Sequence, residues 1–198
     1  GFVTAQWFGI TYFHPMGIIV PELAFKPLIY SAFSGICFGL VARFFLFTLH
    51  WVKDFLFHKI SSPIKKPILG GLIIVILYFT TGSDRYLSLG EEIISASFLG
   101  PIHPWDFVGK IFTTVVSVGS GFKGGEVMSL FYIGATFGNA LSLILPLSFT
   151  FLSALGFVAV FAGAANTPIT GIFLALTLFG SQVGIYASLA VVMSYLFS

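Results

Sequence analysis

The stretch VSVGSGFKGGEVMSLF, residues 116–131, gathers Gly119, Gly121, Gly124 and Gly125 around Lys123 and Glu126 in an otherwise apolar chain. After Glu126, residues 127–198 contain no Asp, Glu, Lys, Arg or His. An ionisable group in such surroundings is the first place to look for chemistry. Gly119-Ser-Gly121-Phe-Lys-Gly124 spells G-x-G-x-x-G, and the preceding IFTTVVSV is rich in β-branched residues. A dinucleotide site also needs an acid about 20 residues further on to hold a ribose. None follows Glu126, so the dinucleotide reading fails.

The same glycines suit a corner between two helices. Gly119 and Gly121 can end the first helix with positive φ. Gly124 and Gly125 let the backbone at the next helix start approach a ligand, so the N–H groups of Gly125, Glu126 and Val127 can point at an ion. Tight helix packing through glycine is the plain alternative. Glu126 falls in the first turn of the second helix. There it either complements the helix dipole, worth about 0.3–1 kcal/mol, or stands as an intramembrane acid on a proton or ion path. A carboxylate beside an anion repels it unless the acid takes up a proton or swings away. That makes a proton-coupled gate the sharper reading.

The other ionisable residues offer less. His14, His50, His58 and His103 lack metal-ligand spacing, and no Ser–His–Asp arrangement is visible. No metal, no cofactor and no enzymatic activity are expected. Glu91-Glu92 read as the acidic opening of a short interfacial helix, and Arg43 as a snorkelling or paired side chain. Cys37 reads as a small buried side chain.

The elements that must position these groups follow from composition. The 198 residues are 57% hydrophobic and 8% charged, with a mean hydropathy of +1.03. An average soluble domain carries roughly 25% charged residues, so a polytopic membrane protein is the class that fits. A net charge of +2 gives no basis for nucleic-acid binding. GFVTAQWFG at the start lacks a basic n-region and an initiator Met, which reads as a chain beginning inside a larger protein.

A bilayer crossing needs about 20 apolar residues, and only Pro27–Phe57 is comfortably that long, spanning with a tilt. Lys53, Lys59, Lys65 and Lys66 cluster about the polar loop 58–66, which places that loop in the cytoplasm. Pro67–Gly82 is too short for a simple span. Short helices follow over 93–100, 104–121 and 124–145. A run over 149–180 breaks near Asn166-Thr167-Pro168, and residues 181–198 close the chain. That makes about eight helical segments, several broken or half-length, in one domain. Short, glycine-interrupted apolar segments mark a transporter or channel site, because irregular backbone at membrane depth survives only beside protein or a wet cavity.

GKIFTTVVSVGSGFKGGEVMSLFYIGATFGN resembles the second-half signature of the CLC family of chloride channels and proton-coupled anion antiporters. That signature runs Lys, a threonine-rich helix, Gly-Ser-Gly, Gly-Gly, then Gly-Ala-x-x-Gly. FAGAANTPITGIFLALTLFG resembles the family's next helix pair, and GSDRYLSLG the segment before the signature. The match covers most of residues 22–198. The resemblance implies an all-α membrane protein with the CLC inverted-repeat fold. Residues 1–198 would form one partial transmembrane domain, carrying the second repeat with its broken and half-length helices. Residues 1–13 would end the first repeat, which is otherwise missing together with the last helix and its pore tyrosine.

The resemblance also implies a multi-pass protein of the plasma or inner membrane, surrounded by lipid. It implies a homodimer joined through about Pro168–Phe179 and Gln182–Leu196, handling an anion and a proton. The anion would meet Gly124, Gly125, Glu126, Val127 and Met128, and Glu126 would couple the proton. The acid in GGEV and the stretch AGAANTP are similar to the fluoride/proton antiporter branch, whose pattern continues Thr-Pro where this chain has Met128 and Ser129. The expected activity is proton-coupled halide antiport, of fluoride or chloride. A passive chloride channel is the first alternative. A truncated chain without transport, acting as an assembly partner, is the second.

Overall fold

The computed structural model describes residues 17–60, 62, 64–122 and 124–198. The expectations placed on residues 1–13, His14, Lys123 and the side chains of His58 and Lys59 lie outside the described residues. The described residues form eight helices and no strand: α1 (Phe25–Lys59), α2 (Lys65–Thr81), α3 (Glu91–Leu99), α4 (Asp106–Gly119), α5 (Val127–Leu141), α6 (Phe149–Ala164), α7 (Pro168–Phe179) and α8 (Ser181–Phe197).

At 35 residues, α1 is about 50 Å long, well beyond the roughly 30 Å of a hydrocarbon core. It opens two residues ahead of Pro27, because a proline in the first turn gives up only an N–H that has no intrahelical partner. Phe38, Ala42, Phe45 and Leu49 form its buried stripe, while Leu40, Phe44, Phe47 and Trp51 face outward. Among the described helices, α1 alone is long and apolar enough to cross a bilayer unaided. The later helices run 9 to 17 residues, so depth is covered by several pieces.

Helix α6 is the hub. It is apolar and buried around nearly its whole circumference, as a central helix must be, and α1, α5, α7 and α8 pack around it. Glycine sets the closest approach. A Cβ on Gly134 of α5 would strike the Gly156 carbonyl of α6, and one on Gly138 would strike that of Leu152. Likewise Gly35 and Gly39 of α1 lie against the Ala190 and Ser194 carbonyls of α8. Spacing small residues by four puts them on one helix face, where the backbones can meet. Large apolar side chains such as Phe33, Phe44, Phe173 and Leu196 stand exposed on the outside, where lipid rather than water is their suitable neighbour.

Breaks fall where the chain loses helical options. Ala164 ends α6, Asn166 takes φ +56°, and α7 restarts with Pro168 at its first position, which proline tolerates. The helix expected to run to Leu145 stops at Leu141. Residues 142–145 tighten into turns, with the Leu143 N–H donating to the Ala140 carbonyl and the Ile144 N–H to that of Leu141. Pro146 disfavours helical geometry in the residue before it.

Candidate anion site

Helix α4 closes with a glycine cap. The Gly121 N–H donates to the Val118 carbonyl at 3.1 Å and the Phe122 N–H to the Ser117 carbonyl at 3.2 Å. This paired pattern needs a left-handed residue between them, and Gly121 supplies it at φ +97°. Gly119, also expected to take positive φ, stays helical and buried. There a Cβ would come 2.7 Å from Cγ1 of Val52 on α1. Its role is close packing.

Helix α5 begins at Val127, three residues later than the start anticipated at Gly124. Glu126 is the N-cap residue and not part of the first turn, and its side chain makes no capping hydrogen bond. Its carbonyl accepts the first helical bond, from the Leu130 N–H at 3.0 Å. Nothing lies within 4 Å of a Cβ built on Gly124 or Gly125, so the backbone there borders open space. That space is a cavity of about 370 Å³, with Gly124, Gly125 and Ser129 on one wall and Lys110, Thr114 and Ser117 of α4 on another.

Of the five residues expected to meet the anion, Gly124 and Gly125 line this cavity. Glu126 is half-buried at the helix start. Val127 is exposed, and Met128 packs against the hydrophobic core. A hydroxyl-bearing side chain does reach the cavity wall, one position beyond Met128, at Ser129.

The opposite side is closed by residues 82–90, a strap laid over α4 and α5. Its main tie is the ion pair between Arg85 and Asp106. Arg85 Nε donates to Oδ1 at 2.9 Å and Nη2 to Oδ2 at 2.6 Å, with Asp106 fully buried. The Tyr86 hydroxyl donates to the same carboxylate at 3.2 Å. The hydrogen bond to Asp106 holds the Arg85 guanidinium above its ordinary range. Burial, with the Asp106 charge, pushes the Tyr86 phenol up, so both stay protonated donors.

Further ties come from α4 and α5. The Lys110 ammonium donates to the Ser88 carbonyl at 2.7 Å and to that of Tyr86 at 3.3 Å, and lies 5.1 Å from the centre of the Tyr132 ring. Thr113 Oγ1 donates to the Tyr86 carbonyl at 3.0 Å, and the Tyr132 hydroxyl to that of Arg85 at 3.4 Å. On the far side of α5, Asn139 Nδ2 donates to the Ser97 and Gly100 carbonyls, and its Oδ1 accepts from the Ile102 N–H.

Sequence reasoning assigned none of these tying roles to Arg85, Asp106, Lys110 or Asn139. Asp106 also opens α4, where an acid suits the helix dipole. A usable signal was present: charges and an amide are rare in this chain, and at depth each must find a partner.

Interrupted helices around a cavity that carries Lys110, Ser117 and Ser129 in a largely apolar wall, under an apolar exterior, are the architecture of a polytopic membrane protein with broken helices. The chain belongs to the voltage gated chloride channel family, whose family model matches residues 1–198. It is 44% identical over 200 residues to a "Chloride/fluoride channel protein" of Pseudomonas syringae pv. tomato, covering 98% of this chain and 44% of that protein. It is 29% identical over 153 residues to an "H(+)/Cl(-) exchange transporter ClcA" of Vibrio cholerae serotype O1, covering 71% of this chain and 33% of that protein. A crystal structure of a CLC-type fluoride/proton antiporter superposes with a TM-score of 0.93 at 31% identity, over 99% of this chain and 50% of that one. The chain thus spans half or less of the length of each.

Proposed function

We propose that this chain is the second repeat of a membrane transporter that exchanges a halide or fluoride for protons. The anion is met where the turn before α5 reaches the cavity beside Lys110 and Ser117. The observation that carries this reading is the unobstructed backbone of Gly124 and Gly125 facing that cavity, in a chain that belongs to an anion-channel family. Free N–H groups at a helix start favour an anion, and Glu126 at the same helix start supplies a group that can carry a proton. The full protein works in the lipid bilayer as a homodimer. The exposed apolar faces of α7 and α8, with Ile169, Phe173, Ile185 and Val192, supply the contact.

The test is reconstitution of the full-length protein in liposomes, with fluoride and chloride fluxes and proton movement followed side by side. Anion efflux that drives proton uptake supports the exchanger. Anion flux with no proton movement would establish a passive channel instead, the reading favoured by the name of the Pseudomonas relative. No flux of either anion would sink both.

A further inference from the structure

We infer that Lys110 is the fixed positive charge of the anion site, holding the ion from the α4 wall of the cavity. This assignment rests on the anion-transport reading and adds a residue to it. Lys110 is 2% exposed and lines the cavity shared with Gly124, Gly125 and Ser129. A buried ammonium ordinarily sits beside a carboxylate. Among the described residues none lies within ion-pairing distance of Lys110.

The acid one turn earlier, Asp106, is already engaged. Its two oxygens accept from Arg85 and its Oδ1 also from Tyr86. Arg85, Asp106 and Lys110 therefore sum to one positive charge on the α4 wall of the cavity, with no directly paired carboxylate among the described residues. Two of the three ammonium donors go to the Ser88 and Tyr86 carbonyls, and the Tyr132 ring lies 5.1 Å away. These partners fix the ammonium in place without cancelling its charge. A monovalent anion among Lys110, the Ser117 and Ser129 side chains and the glycine backbone supplies the missing counter-charge. At short range and low effective dielectric that attraction is strong.

A purely structural role, tying the strap to α4, is the competing account, and charge separates the two. The experiment is calorimetric titration of the purified full-length protein in detergent with sodium chloride and sodium fluoride. It is run on wild type, Lys110→Gln, Lys110→Arg and Tyr132→Phe. Lys110→Gln is expected to weaken anion binding about tenfold, with Lys110→Arg close to wild type. Tyr132→Phe loosens the strap by removing the bond to the Arg85 carbonyl, keeps the ring and the charge, and leaves affinity unchanged.

Wild-type affinity in folded Lys110→Gln overturns the inference. So does equal weakening by Tyr132→Phe, which would make the strap responsible, and so does a wild type that binds neither anion. If Lys110→Gln does not purify as folded protein, Ser117→Asp provides the test. It places a carboxylate on the same wall and should weaken binding at least tenfold, and unchanged affinity again overturns the inference. Binding is read without flux, so a protein that binds through Lys110 but does not transport overturns the transport reading alone.

Discussion

Asp106 and Arg85 stand 21 residues apart in sequence and meet in a bidentate pair at the buried start of α4. Removing one partner of such a pair leaves the other without its counter-charge. Asp106→Asn should therefore lower stability by about 3 kcal/mol, the low end for a buried pair, because the Arg85 side chain remains 33% exposed. Thermal unfolding of the full-length protein in detergent checks this, and a midpoint within error of wild type would show the strap held by its other bonds. Glu126 makes a different claim. If its charge gates the anion, Glu126→Gln weakens the pH dependence of anion flux and leaves folding and dimer formation intact. Wild-type pH dependence would reduce it to a helix-start acid. The glycine turn was legible because its spacing is local. The Arg85–Asp106 pair was not, since neither residue carries any mark of which distant charge it meets.

Among the elements, the eight helices and the break at Asn166-Thr167-Pro168 could be read from apolar runs and their punctuation, because proline and glycine act on the residues beside them. The ends of α5 could not. Its apolar pattern continues through Leu143, Ile144 and Leu145 while the backbone has already turned. Asn139 belongs to this level too, since it joins the end of α3 to α5 by satisfying two carbonyls and one N–H. Asn139→Leu should destabilise by about 3 kcal/mol, each orphaned buried group costing about 1–3 kcal/mol before relaxation. Asn139→Ser should recover part of that. Equal unfolding midpoints for Asn139→Leu and wild type would show that water replaces the amide.

For the whole molecule, orientation is the open quantity. With Lys53, Lys65 and Lys66 flanking it, the connection between α1 and α2 should face the cytoplasm. A cysteine at Ser62, with Cys37 replaced by Ser, should resist a membrane-impermeant thiol reagent in intact cells and react after permeabilisation. Labelling of intact cells would invert the orientation.

The glycine contacts between α5 and α6 bear on how such a molecule can move. Two rods whose backbones meet at two separate levels, Gly134 on Gly156 and Gly138 on Leu152, resist pivoting about either contact. We expect them to swing as one lever, with the hinges of a working stroke at its ends, ahead of Val127 or in residues 142–148. A disulfide bridging α5 to α6 should leave turnover intact, whereas one fastening residues 120–126 to α4 should arrest it. Arrest by the first bridge would mean that the stroke runs through the α5–α6 pair itself.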